Sequence, residues 1–120
     1  MIVLVCGGRD YDDKEFLYSE LTKIHSTGKI ELLIEGGARG ADCLAKCWAI
    51  DNEIHYIEFP ANWNLHGKKA GFIRNQQMLD TGRPDLVVAF HGGNGTADMI
   101  RRSKKARIYT IQCEKGLFND

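Results

Sequence analysis

The chain has 120 residues and a mass of 13.5 kDa, enough for one domain with a core and too few for a separate substrate domain. Sixteen basic and sixteen acidic residues cancel to a formal charge of +0 with a pI near 6.9, which argues against a broad electrostatic grip on nucleic acid. No run approaches the roughly 18 consecutive apolar residues of a membrane span, and Met1 leads straight into strand-like sequence, so the expectation is a cytoplasmic protein with no membrane partner.

Ile2–Cys6 is a nearly continuous apolar run and predicts a first strand covered on both faces. It stops at Cys6-Gly7-Gly8-Arg9, and a helical pattern runs from Asp13 to about Ser26. Glu31–Ile34 predicts a second strand, which also stops at glycines, in Glu35-Gly36-Gly37-Ala38-Arg39-Gly40-Ala41-Asp42, before a helix from Ala41 to about Asp51. A third strand over Ile54–Phe59 precedes the longest irregular stretch, Pro60 to about Gly67, which carries Trp63. A helix from Lys68 to about Asp80 leads to a fourth strand, Leu86–Phe90. That strand ends at His91-Gly92-Gly93-Asn94-Gly95-Thr96-Ala97-Asp98, a helix runs from Thr96 to about Lys105, and Arg107–Cys113 predicts the fifth strand.

Strand and helix alternate throughout, which predicts a single α/β domain over residues 1–120. Right-handed crossovers place helices on both faces of a parallel sheet, and the expectation is a Rossmann-like, doubly wound sheet of five strands in the order 3-2-1-4-5. Ligands in such sheets bind where the winding reverses, here between the first and fourth strands, whose ends carry Gly7-Gly8 and Gly92-Gly93.

Three glycine turns at one end of one sheet predict a trough for a phosphate-bearing nucleotide. Glycine lets a ligand approach bare backbone N–H groups, and a helix starting just beyond offers its unpaired donors and positive dipole end to an anion. Gly92 to Thr96 are expected to form the main phosphate cradle, joined by Gly7, Gly8 and Arg9 and by Gly36, Gly37, Ala38, Arg39 and Gly40. Arg39 could fork onto phosphate or ribose oxygens, or brace its own turn through Asp42. Trp63 could stack on a base or plug the core edge. Arg74, followed by Asn75, projects a guanidinium toward the trough, with Lys68 a weaker candidate.

Glu35 and Asp98 are the carboxylates tied to the glycine turns, and they are the candidates if the protein is a catalyst. No metal is expected, because the spacings of Cys6, Cys43, Cys47 and Cys113 and of the histidines fit no metal site. The cysteines read as buried apolar thiols without a disulfide, and no cofactor is indicated.

Glu-Gly-Gly-Ala-Arg-Gly-Ala-Asp at 35–42 resembles the Ser-Gly-x-Ala-Arg-Gly-Ile-Asp turn of the DNA-processing protein A family. Gly92-Gly93-Asn94-Gly95-Thr96 is similar to the Pro-Gly-Gly-x-Gly-Thr turn of the lonely-guy phosphoribohydrolases, which split nucleoside monophosphates. Both belong to the SLOG superfamily of Rossmann-like nucleotide-ligand folds. The combination looks like its short YspA-related subfamily, with counterparts for Trp63, Gly67-Lys68, Ala70-Gly71, Arg74-Asn75, Met78 and the segment 95–99. The resemblance has limits: Met99 stands where the phosphoribohydrolases place their catalytic glutamate, Asn75 where they place a lysine, and His91 where they place a proline.

Three functions follow from these readings. The first is binding, whether for sensing or processing, of a nucleotide or nucleotide-derived phosphorylated small molecule. The second is N-glycosidic hydrolysis of a nucleoside phosphate. The third is single-stranded DNA binding of the DNA-processing-protein kind, against which neutral charge and small size count. A domain this small also predicts a homodimer or higher homo-oligomer that covers the trough, with Met78 and Leu79 as interface positions.

Overall fold

The computed structural model describes residues 1–115. The strands β1 (Ile2–Cys6), β2 (Leu32–Glu35), β3 (His55–Glu58), β4 (Leu86–Ala89) and β5 (Tyr109–Gln112) form a parallel sheet in the order β3-β2-β1-β4-β5. Between them run the helices α1 (Lys14–Thr27), α2 (Ala41–Asp51), α3 (Trp63–His66), α4 (Ala70–Gly82) and α5 (Asn94–Lys105).

The winding reverses at β1 and sends the helices to opposite faces. Leu17 and Leu21 of α1 and Ala45 and Trp48 of α2 pack on Val3, Val5, Leu33 and Val88. Met78 and Leu79 of α4 and Met99 of α5 pack on Leu4, Ile34 and Val87. Each fully buried Val, Leu or Met contributes about 1.5–3 kcal/mol of transfer free energy, so β1 and β4, buried on both faces, anchor the sheet. Trp48, fully buried, satisfies its indole N–H on Thr22 Oγ1 at 3.1 Å.

Several expectations need correction. The outer strands are covered less than the central ones: all four residues of β3 are exposed, and in β5 Thr110 and Ile111 are half-buried. The stretch after β3 is not wholly irregular, since Asn62 Oδ1 accepts the Leu65 N–H at 3.1 Å and starts the single turn of α3. α5 begins at Asn94, two residues before Thr96, because Gly93 serves as its N-cap and its carbonyl accepts the Ala97 N–H. Cys43 is exposed and Cys47 only partly covered; α2 buries Ala41, Ala45, Trp48 and Ala49, and the two thiols lie off that stripe. Met78 and Leu79 are 2% and 5% exposed within their own domain, so neither is available as an interface residue.

Among the described residues no helix is long and apolar enough to cross a membrane.

Candidate functional site

The three glycine turns lie together at the carboxyl ends of β1, β2 and β4, and their backbones touch. Gly8 N–H donates to the His91 carbonyl at 2.9 Å, and the Gly8 carbonyl accepts the Ala41 N–H at 3.1 Å. A Cβ on Gly8 would stand 3.0 Å from that His91 oxygen and 3.1 Å from Gly92 Cα. Gly40 has φ +79°, in the region that favours glycine, and a Cβ there would run into the Gly8 carbonyl and the Arg9 backbone. Close packing of turn on turn therefore uses Gly8, Gly40 and Gly92 before any ligand does.

Helix α4 ties the other two turns together through adjacent residues. Arg74 Nη1 donates to the Gly36 carbonyl, and its Nε donates to Asn75 Oδ1 at 3.2 Å. Asn75, 4% exposed, uses its amide nitrogen on the Gly95 carbonyl and on Asp98 Oδ2, both at 3.1 Å. Arg74 thus braces the β2–α2 turn while Asn75 braces the β4–α5 turn. Arg74 lies on the trough as expected, with its guanidinium also committed to the Gly36 carbonyl.

A cleft of about 350 Å³ opens above this junction. Gly7, Gly8, Arg9, Ala38, Trp63, Arg74, Asn75, Gly93, Asn94, Gly95 and Thr96 line it, so eleven of the expected ligand-binding positions converge. Gly36, Gly37 and Arg39 line a neighbouring pocket of about 410 Å³, which shares Arg9, Ala38, Trp63 and Arg74 with the first. Gly40 and Gly92 line neither compartment: Gly40 packs against the Gly8 and Arg9 backbone, and Gly92, exposed, lines a separate pocket with His91 and Gln112. Arg39 reaches outward to Asp10 Oδ1 at 3.3 Å, an exposed pair of little energetic weight, and not to Asp42.

The α5 end of the cleft presents uncommitted backbone donors. No side chain caps this helix, Gly93 holds the N-cap, and Asn94, Gly95 and Thr96 form its first turn on the cleft wall. Their N–H groups lie too early in the helix for intrahelical partners, and the positive dipole end points with them. Arg9, Lys68 and Arg74 face the same space against one cleft-lining carboxylate, Asp42. The apolar part of the lining is Trp63, Phe72 and Met78.

The carboxylates are distributed otherwise than the sequence reading expected. Glu35 is fully buried behind its turn, with Oε1 accepting the Gly37 N–H and Oε2 without a hydrogen-bond partner. Burial, with the Glu58 and Asp42 carboxylates nearby, pushes it up to about 8 against the pull of the Gly37 N–H. Glu58, its neighbour across β2 and β3, is instead held below the usual carboxylate range by Lys46 Nζ at 3.0 Å. Asp98 faces away from the cleft: Arg101 and Arg102 each approach an oxygen at 2.7 Å, and Asn75 takes the rest. Neither candidate catalytic carboxylate lines the trough.

Asp42 does line it. It is 6% exposed, accepts the Ala38 N–H on Oδ2 at 3.2 Å, and is pushed up to about 6 by burial against the opposing pull of Ala38 and Arg74. Its sequence signal was its place in the first turn of α2, which reads equally as a helix-dipole partner. Cys6 also borders the cleft, but burial pushes its thiol up to about 12 and leaves it unreactive. Phe72 carried no motif that could have marked it.

A profile of the YspA, cpYpsA-related SLOG family matches residues 1–66. The chain belongs to that family. It is also 35% identical over 121 residues to the Gene 61 protein of Mycobacterium phage D29, a similarity covering 91% of this chain and 93% of the phage protein. The SLOG profile spans the first two glycine turns and Trp63, and the likeness to the phage protein necessarily extends beyond residue 66. Membership of a SLOG family associates this trough with nucleotide-related ligands at the level of the class.

Proposed function

We propose that the trough binds a nucleoside phosphate or a related phosphorylated small molecule, for sensing or for processing. The observation that carries this is the uncapped N-terminus of α5 opening into a cleft lined by Arg9, Lys68 and Arg74. The volume of about 350 Å³ and the apolar wall suit a small ligand with one anionic and one planar end. Thermal denaturation with nucleoside mono-, di- and triphosphates, ADP-ribose, dinucleotides and oligonucleotides tests it. Saturable stabilisation is expected, on the order of 2–3 kcal/mol at a hundredfold excess over Kd. Unchanged melting with every phosphorylated nucleoside at millimolar concentration sinks the proposal.

A hydrolytic role has one observation in its favour: Asp42, a carboxylate on the cleft wall that burial keeps near neutrality. In that reading Asp42, and not Glu35 or Asp98, would activate water or stabilise positive charge on the sugar. Release of free base from nucleoside monophosphates, abolished in Asp42→Asn with ligand binding retained, is the expected sign. We propose a cytoplasmic homodimer, with the exposed edge strand β3 replacing Met78 and Leu79 as the interface surface, its oligomeric state to be measured by light scattering.

A further inference from the structure

Arg9 and Trp63 stand where the two compartments of the trough meet, since both line the cleft and the adjoining pocket. The Arg9 guanidinium carbon lies 5.0 Å from the centre of the Trp63 ring, within cation–π range. Gly71 backs the same indole, with ring atom Cη2 3.5 Å from where a Cβ would be. Trp63 is 47% exposed, so the ring is a platform at the surface of the trough and not a core plug. Among the described residues the Arg9 side chain makes no hydrogen bond and no ion pair; the ring is its contact.

The backbone places Arg9 close to a second destination. It follows Gly8, whose N–H is bonded to the His91 carbonyl, so Arg9 leaves the chain beside the β4–α5 turn and the open N-terminus of α5. An arginine held over an aromatic face occupies space that a stacked nucleobase would take, and a phosphate competes for the same guanidinium.

We propose that Arg9 is an exchangeable cover on a nucleobase subsite: a base takes its place on the Trp63 ring, and the displaced guanidinium turns to the phosphate of the same ligand at α5. The inference rests on the nucleoside-phosphate reading above and adds a specificity-determining role for Arg9. An unphosphorylated nucleoside must displace Arg9 and offers it no anion in return. Inorganic phosphate draws Arg9 away and leaves the ring uncovered. A nucleoside phosphate satisfies both, so base and phosphate are recognised jointly through one side chain.

Calorimetric titration of wild type, Arg9→Ala and Trp63→Leu tests the exchange, using the four ribonucleoside 5′-monophosphates, the four nucleosides and inorganic phosphate. Wild type is expected to bind its best monophosphate about 100-fold more tightly than the matching nucleoside. Arg9→Ala should move the two in opposite directions, weakening the monophosphate about tenfold and tightening the nucleoside severalfold. Trp63→Leu should weaken both and spare inorganic phosphate. Because Trp48 is fully buried, acrylamide quenching reports Trp63, and bound monophosphate should shield it. If Arg9→Ala changes nucleoside and monophosphate by the same factor, or neither, the exchange is wrong while the nucleotide site stands. If wild type binds no monophosphate, the exchange falls, and the nucleoside-phosphate reading falls with it when the di- and triphosphates, ADP-ribose and dinucleotides also leave the melting unchanged.

Discussion

The turns after β2 and β4 are spelled almost alike, Gly36-Gly37-Ala38-Arg39-Gly40-Ala41-Asp42 and Gly92-Gly93-Asn94-Gly95-Thr96-Ala97-Asp98, yet one is closed and the other open. In the first, Asp42 folds back onto the Ala38 N–H, the Ala41 N–H is taken by Gly8, and the Gly36 carbonyl is held by Arg74. In the second, Asp98 is buried against Asn75, Arg101 and Arg102, and the helix start is left without a side-chain cap over the cleft. A glycine-rich strand-to-helix turn can serve as an anion site only where nothing in the protein already occupies its donors.

The largest effect should come from the closed turn. Gly40→Ala adds a side chain at positive φ against the Gly8 carbonyl, atoms that cannot move aside without shifting the first turn. A loss of about 2–4 kcal/mol is expected in urea denaturation. Wild-type stability in this variant would remove the argument that Gly40 is there for packing.

The buried carboxyl behind that turn sets a pH dependence. Glu35 keeps its proton up to about pH 8 in the folded chain and loses it near its ordinary value of 4.5 when unfolded. Between those values the folded state binds more protons, so stability falls as pH rises from 4.5 to 8, and Asp42 adds the same sign up to about pH 6. Denaturation midpoints should drop by an equivalent of about 1–3 kcal/mol between pH 5 and 8 in wild type, and Glu35→Gln should flatten that slope. An equally steep slope in Glu35→Gln would show that other groups produce it.

The smallest effect on folding belongs to the open turn. A Cβ on Gly95 meets nothing within 4 Å, and alanine suits a helix better than glycine. Gly95→Ala should change stability by no more than about 0.5–1 kcal/mol, toward the stable side, while weakening a phosphorylated ligand severalfold. Unchanged affinity for the best ligand would take Gly95 off the binding wall.

Much of the site was legible because glycine pairs, apolar runs and helix starts are local signals. The continuous run Ile2–Cys6 told of a central strand, and the glycines told where the chain turns. Glu35 and Asp98 were misjudged as cleft groups because adjacency to a turn says nothing about which way a carboxylate faces. Cys43 failed for a related reason: spacing placed it on a helix but not on the buried stripe.

From sequence alone came the α/β class, the strand order, the family likeness and the convergence of three turns, all of which depend on short-range patterning and on the handedness of crossovers. Only the tertiary structure decided that Arg74 and Asn75 are braces, that Asp42 is the cleft carboxylate, and that Arg9 lies across Trp63. They depend on elements far apart in the chain being brought side by side. Which partner wins depends on distances and burial that appear only once the sheet has brought the turns together.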